Sequence, residues 1–248
     1  MHKRFEGKVV VVTGAASGMG KSHAEAFAAE GATVYITDLN DQAGQAVADA
    51  IGGDCAFLHH DVAEESHWAR VMSTVGAKHG RLDVLVHNAG YATQGHFDQT
   101  DAAALSRMLE VNTMGAFFAV KSARPLLKAA GSASVVMISS TAAKLATPIM
   151  FAYGPAKAAV CQMVRTMAVE FAPEGIRVNA ILPGIIDTPM SRAATSNPET
   201  LSYIMARTPL GRVGQPREVT EAVLFLASGA ASFITGVDLP VDGGSLAV

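Results

Sequence analysis

Short, wholly apolar runs recur along this chain, each followed by a longer alanine-rich stretch, and no other feature limits the fold so strongly. The runs "VVVV" at 9–12 and "VVMI" at 135–138 show no alternation of polar and apolar residues. A strand of that kind must be buried on both faces, which describes a parallel sheet covered by helices on each side. Strands are predicted at 9–12, 33–37, 55–59, 84–87, 134–139, 177–182 and 237–241. Helices are predicted at 19–30, 42–51, 64–79, 101–130, 151–171 and 216–227. About seven parallel strands joined by right-handed helical crossovers give a doubly wound α/β fold, one domain over residues 1–248. Folds of this type bind ligands at the carboxyl ends of their strands, so the chemistry is sought there.

Composition narrows the class. Of the 248 residues 50% are hydrophobic and 17% charged, which excludes a disordered chain. A net charge of -3 gives no reason to expect nucleic acid or an anionic membrane as partner. No apolar run reaches the 18 or so residues of a membrane span, and the apolar run near the amino terminus is too short for a signal peptide. Two cysteines, Cys55 and Cys161, are no disulfide framework, and a reducing cytoplasm is the expected location.

After the first strand comes Thr13-Gly14-Ala15-Ala16-Ser17-Gly18-Met19-Gly20. Glycines at 14, 18 and 20 allow a tight turn, close approach of backbone to a pyrophosphate, and close packing of helix on sheet. Alone they are also compatible with a plain tight turn; the strand before and the helix after favour a dinucleotide site. The second strand ends in Asp38. Its carboxylate can accept hydrogen bonds from adenosine ribose hydroxyls and would repel a 2′-phosphate, and no Arg or Lys stands at Ser17, Leu39 or Asn40. Either Asp38 selects NAD over NADP, or it is a solvated cap of the next helix.

The stretch "AYGPAKAAV" at 152–160 sets a phenol and an ammonium, Tyr153 and Lys157, one turn apart on a helix face. Proline is tolerated only in a helix's first turn, so Pro155 predicts a start between about Pro148 and Tyr153. A phenol beside a cation at a helix mouth is either a catalytic acid or a Tyr closing a core helix. The pair His59-His60 offers no metal site, because adjacent strand residues point to opposite faces.

Taken in order, these motifs resemble the short-chain dehydrogenase/reductase family in its short single-domain branch. Gly14, Gly18 and Gly20 match its cofactor turn, with Ser17 and Met19 between them. Asp61-Val62 matches its adenine-contacting pair and Asn88-Ala89-Gly90 its "NAG" stretch. Asn112 in "EVNTMG", Ser140 in "MISS", and Tyr153 with Lys157 are similar to its catalytic residues. Pro183-Gly184, Ile186 and Thr188 resemble its nicotinamide-side loop, and "VDGG" at 241–244 its ending. His87 departs from the family, where a second asparagine is common. Gly154-Pro155-Ala156 departs as well, replacing an Ala/Ser-rich filling.

The resemblance implies a Rossmann-fold oxidoreductase that interconverts a secondary alcohol and a ketone, and Asp38 points to NAD as its cofactor. Tyr153 would be the general acid/base, Lys157 the charge that lowers its pKa and holds the nicotinamide ribose, and Ser140 the donor to the substrate oxygen. Asn112 would position a water; the alternative is that it satisfies a buried backbone kink. The substrate pocket is expected to include Tyr91, Thr93, Gln94, Ala142, Leu145, Thr147, Ile149, Met150, Ile185 and Met190, a mostly apolar set that suggests a hydrophobic or cyclic small molecule. Residues 184–212 are expected to form a lid with a short helix near 198–206. Helices apolar nearly all round, at 101–130 and 151–171, predict a symmetric assembly, and the tail Leu246-Ala247-Val248 a second interface and hence a homotetramer. Two other readings stay open: an NADPH-dependent 3-oxoacyl carrier-protein reductase, and a cofactor-sensing regulator without catalysis.

Overall fold

The structure is a computed structural model that describes residues 3–147 and 149–248. In chain order its main elements are β1 (Val9–Thr13), α1 (Gly18–Ala29), β2 (Thr33–Asp38), α2 (Asp41–Ile51), β3 (Cys55–His59), α3 (Glu65–His79) and β4 (Val84–His87). There follow α4 (Ala102–Leu109), α5 (Gly115–Ala129), β5 (Ala133–Ile138), α6 (Tyr153–Phe171), β6 (Ile176–Pro183), α7 (Arg192–Thr195), α8 (Pro198–Met205), α9 (Pro216–Ala227) and β7 (Asp238–Val241).

The strands pair in the order β3-β2-β1-β4-β5-β6-β7, every pair parallel. The chain winds outward from β1 to one edge, returns to place β4 against β1, and winds to the other edge. The order therefore reverses between β1 and β4, and a crevice opens at their carboxyl ends.

The four valines explain the two layers. Val9 and Val11 pack with Trp68 and Val75 of α3, Ala116 of α5 and Val160 of α6. Val10 and Val12 pack with Phe27 of α1, Val47 of α2 and Val219 of α9. Successive strand residues face opposite ways, so an uninterrupted apolar run feeds both layers.

The helix expected over 101–130 is not one regular helix. A single widened π turn, Glu110–Met114, separates α4 from α5, and Asn112 sits in it. One side chain accounts for it: Asn112 is buried, and its amide donates to the carbonyls of Tyr91 (2.8 Å) and Met108 (3.1 Å) while Oδ1 accepts from the Tyr91 N–H (3.2 Å). The extra residue in the turn lets one amide bridge the helix and the loop after β4. Helix α6 begins at Tyr153 with Pro155 third in its first turn, as the proline required. Pro148, the outer limit expected for that start, lies outside the described residues.

At the amino end of β4, Asp83 is 3% exposed and accepts from Lys8 Nζ (2.9 Å), the Val9 N–H (2.9 Å) and Arg81 Nε (3.2 Å). Burial alone would raise its pKa; the three donors together outweigh it and hold the carboxyl below its usual range. A depressed carboxyl stabilises the fold above its unfolded pKa of about 4, and the contribution disappears as pH falls through the folded value. Asp83→Asn is expected to cost about 1–3 kcal/mol at pH 7, or about 2–10 °C in Tm for a chain of this size. The deficit against the unmodified protein should shrink below about pH 4; calorimetry across pH checks both statements.

Candidate active site and cofactor cleft

Where β1 and β4 end side by side, one hydroxyl ties the two loops together. Thr13 Oγ1 accepts the backbone N–H of Asn88 (3.1 Å) and of Ala89 (3.0 Å). Asn88 Nδ2 in turn donates to the carbonyls of Thr13 (3.0 Å) and Gly14 (3.1 Å). With both acceptor positions of Thr13 used, its own proton goes to His87 Nδ1, 3.3 Å away. His87 is thereby the Nε2–H tautomer, and its Nε2 is buried without a partner. Burial, and then the charge of Lys157, push its pKa down to about 3, so it stays neutral.

The glycine turn is as tight as its spacing implied. A Cβ on Gly14 would lie 2.8 Å from Ala89 Cα, and one on Gly20 would lie 2.2 Å from the Gly14 carbonyl oxygen. Gly14 and Gly18 both have positive φ, 64° and 54°. Helix α1 starts at Gly18 with no side chain capping its first turn, which leaves N–H groups for an anion. Ser17 is exposed, Met19 half-buried.

Asp38 fastens this turn from the side. Its Oδ2 accepts from the Ala16 N–H and its Oδ1 from the Asn40 N–H, both at 3.0 Å. Each oxygen keeps a further lone pair. The cap of α2 is Asn40, whose side chain accepts from Ala43, so Asp38 is not the helix cap. A cleft of about 350 Å³ opens beside it, lined among others by Gly14, Leu39, Asp61, Ala89, Gly90 and Tyr91. Asp61 Oδ1 accepts from the Ala63 N–H (2.9 Å), and Val62 is buried. Three further lining residues, His60, Arg107 and Val111, were not foreseen. Nothing in their local sequence sets them apart; they reach the cleft through tertiary packing.

Tyr153 and Lys157 project from the first turn of α6 and are 8% and 4% exposed. Lys157 Nζ lies 5.7 Å from the centre of the Tyr153 ring and donates to the Ile138 carbonyl at 2.9 Å. Gly90 is where the cleft meets this pair: a Cβ there would stand 3.0 Å from Asn112 Oδ1 and 3.2 Å from Lys157 Nζ. Burial pushes the Tyr153 phenol up to about 12, and a hydrogen bond with Ser140 acts against it. Burial brings the Lys157 ammonium down to about 8. Desolvation sets the direction of both shifts, and the phenol moves opposite to the direction expected from Lys157 alone. Asn112 has the kink-satisfying geometry described above.

The remaining expected site residues are dispersed. Ser140 accepts from the Ala142 N–H (3.1 Å), and Ala142 and Met150 pack with Tyr153 and Met108. Thr93, Gln94 and Met190 are exposed, Leu145, Thr147, Ile149 and Ile185 half-buried, and none of these seven lines the cleft. Pro183 ends β6 and Gly184 abuts Asp242, where a Cβ would meet the backbone at 2.9 Å. Ile186 is buried, and the Thr188 N–H donates to Ser191 Oγ (3.1 Å). His59 bonds Asp41 (2.6 Å) while His60 bonds Thr37 (2.9 Å) on the other face, and among the described residues no group of His, Cys, Asp or Glu is placed to hold a metal. No helix among them is long and apolar enough to cross a membrane.

A parallel sheet with a crevice at its switch point, a glycine turn under a helix start, and a buried Tyr–Lys pair define a dinucleotide-binding oxidoreductase. Residues 14–245 match the family profile described as enoyl-(acyl carrier protein) reductase. Cyclopentanol dehydrogenase of Comamonas testosteroni is 41% identical over 244 residues, covering 97% of this chain and 98% of that protein. Cis-4-hydroxycyclohexanecarboxylate dehydrogenase of Sinomonas cyclohexanicum is 40% identical over 252 residues and covers all of both chains. Among solved structures, a short-chain type dehydrogenase/reductase from Mycobacterium ulcerans is 35% identical with a TM-score of 0.95, over 98% of this chain and 91% of that one. The chain belongs to the short-chain dehydrogenase/reductase family, whose dehydrogenases use nicotinamide cofactors.

Proposed function

We propose that this protein is an NAD-dependent oxidoreductase that interconverts a secondary alcohol and a ketone, with a hydrophobic or cyclic small molecule as substrate. The observation that carries the reading is the buried Tyr153–Lys157 pair beside Gly90, at the end of a cleft whose other end holds Asp38. The cradle at Gly14, Gly18 and Gly20 suits a pyrophosphate, since any side chain at Gly14 or Gly20 would collide with backbone. The cofactor, when bound, supplies the hydride chemistry.

The chain's own groups handle the proton and the charge. In reduction Tyr153 gives its hydroxyl proton to the substrate oxygen, and in oxidation it takes that proton back. Ser140 donates a hydrogen bond to the same oxygen, where negative charge develops. Lys157, still cationic near neutrality with a pKa of about 8, is the charge that favours the phenolate once the cleft is filled. Asn112 Oδ1, with a lone pair to spare beside Gly90, holds a water on the route between Lys157 and solvent. The apolar surroundings of Tyr153, with Ala142 and Met150, suit an alicyclic alcohol, and the alicyclic alcohols named for the relatives support that class. Pro183, Gly184, Ile186 and Thr188 would face the nicotinamide, and Thr93, Gln94, Leu145 and Met190 the substrate. Residues 184–212, with α7 and α8, form the lid.

The reading as an NADPH-dependent 3-oxoacyl carrier-protein reductase draws on the acyl-carrier description of the family profile. Asp38 and the uncharged Leu39 weigh against it. Retention of Asn112, Ser140, Tyr153 and Lys157 weighs against a non-catalytic regulator. We propose a cytoplasmic homotetramer, supported by the exposed Phe117 of α5, Val169 of α6 and Phe233. Of the tail, Leu246 already packs on its own chain's core, so a second interface falls to Val248, 78% exposed. A monomer in light scattering at micromolar concentration contradicts this assembly.

Tyr153→Phe keeps the shape and removes the proton-carrying oxygen. Its kcat is expected to fall toward the upper end of the 10²–10⁴-fold range typical of general acid/base loss, with NAD affinity little changed. Retention of more than about a tenth of kcat assigns the proton to another group. Cofactor choice is read from kcat/KM. A lost hydrogen bond to Asp38 and repulsion of the 2′-phosphate together cost on the order of 3–4 kcal/mol, a preference for NAD of roughly 10²–10³-fold. Equal or better use of NADP contradicts the role given to Asp38.

A further inference from the structure

The turn that carries Ser140 is fastened to the rest of the fold by a buried carboxylate. After β5 the chain makes one tight helical turn, Thr141–Ala143, capped by Ser140. Its backbone bonds close on themselves: the Ala143 N–H donates to the Ser140 carbonyl (3.0 Å), and those of Lys144 (2.9 Å) and Leu145 (2.8 Å) to the Thr141 carbonyl. Besides the Ser140–Tyr153 hydrogen bond, the polar side chain that ties this turn to another element, among the described residues, is Lys144. Its Nζ lies 2.8 Å from Asp238 Oδ2. Asp238 opens β7, and its side chain is 6% exposed. The same Oδ2 accepts from Arg165 Nη1 of α6 at 2.6 Å, while Oδ1 is buried without a hydrogen-bond partner. Burial, with the charge of Asp238 acting in the same sense, pushes the Cys161 thiol of α6 up, so it adds no charge here. One carboxylate oxygen thus joins the turn, α6 and β7.

We infer that Lys144 is a positioning residue: held by Asp238, it keeps the turn against α6, so that the Ser140 hydroxyl stays within reach of Tyr153 and of the substrate oxygen. This rests on the proton-transfer reading given above and adds to it two residues that touch neither substrate nor cofactor. The turn needs an anchor at each end. At its start Ser139 supplies one, its N–H donating to the Ile181 carbonyl (2.8 Å) and its hydroxyl to the Lys157 carbonyl (2.9 Å). At its end Lys144 supplies the other. A Cβ on Gly154 would stand 3.0 Å from the Ala142 carbonyl, so the turn already lies against α6, and a released turn can only move away. Lys144 is itself half-exposed, and such a pair between two exposed groups would contribute little. Asp238 differs, because a carboxylate this deeply buried cannot recover water when its partner leaves. The Ser140 bond acts against burial at the Tyr153 phenol, so a turn that drifts leaves a weaker acid.

The test has two readouts, one of which needs no turnover. In amide hydrogen exchange of the empty protein, Lys144→Met, which keeps the apolar stem, is expected to speed exchange at Ala143 and Leu145 about two- to fivefold, the scale of one ion pair. With cyclopentanol and NAD, the same variant is expected to lower kcat about two- to tenfold, the scale of one hydrogen bond, with the KM for NAD unchanged. The apparent pKa of the oxidation limb is expected to rise by up to about one unit. Lys144→Arg, which keeps the charge, is expected to restore both readouts. Asp238→Asn is expected to reproduce Lys144→Met, and the double variant to be no worse than the more impaired single one. Should Asp238→Asn fold poorly, the exposed Lys144 carries the test alone. Unchanged exchange in Lys144→Met overturns the clamp. Faster exchange with kcat and the limb unmoved overturns the positioning role and leaves a structural contact. An equal response in Arg165→Met, which removes a contact to the carboxylate but none to the turn, overturns the route through Lys144. Turnover that survives Tyr153→Phe overturns the proton-transfer reading and the positioning role with it, while the exchange result still decides whether the clamp exists.

Discussion

The hydroxyl of Thr13 holds this site together. By accepting two N–H groups from the loop after β4, and by sitting under the Asn88 amide that spans the turn after β1, it brings two loops from separate halves of the sheet into contact. Everything in the cleft follows from that clasp. Gly14 must be glycine because Ala89 is pulled against it, and at Gly90 a Cβ would crowd the side-chain ends of Asn112 and Lys157. The same hydroxyl fixes the tautomer of His87, so a side chain unusual for the family is accommodated as a neutral, buried neighbour of Lys157.

The second constraint is electrostatic. Burying a phenol and an ammonium together sets two opposing effects against each other: desolvation disfavours both charged forms, and their mutual attraction favours both. In the structure desolvation prevails, with Tyr153 pushed up to about 12 and Lys157 down to about 8. A phenol in that state keeps its proton, which suits the donor required in ketone reduction. Alcohol oxidation needs the opposite state, and the proposed mechanism assigns that change to Lys157 in the filled cleft. Lys157 has been drawn toward the Ile138 carbonyl, and its distance to the Tyr153 ring leaves room for a closer approach.

Much of the fold was legible in the sequence because apolar run length alone distinguishes a doubly buried strand from an amphipathic one. The seven strands came within a residue or so of their observed limits, and Pro155 dated the start of α6 correctly. The π turn at Asn112 was hidden, since an inserted residue in a helix leaves no mark on periodicity when the partner, the backbone of Tyr91, is distant in sequence. Arg107 and His60 were hidden for the same reason: their place in the cleft depends on how α4 and β3 approach β1, not on their neighbours in the chain. The direction of the Tyr153 shift could not be read either, because sequence spacing gives the nearness of a cation but not the depth of burial that opposes it.

The pH dependence of alcohol oxidation tests the central claim most directly. An essential base titrates in the kcat/KM profile, and if Lys157 lowers the pKa of Tyr153 in the filled cleft, replacing it by the uncharged Lys157→Met must shift that limb. The expected result is a displacement of the apparent pKa upward by about 1–3 units, beyond any fall in the plateau rate. A Lys157→Met profile with its limb at the same pH as the unmodified protein would contradict the account, since the proton would then be governed by a group other than the Tyr153–Lys157 pair.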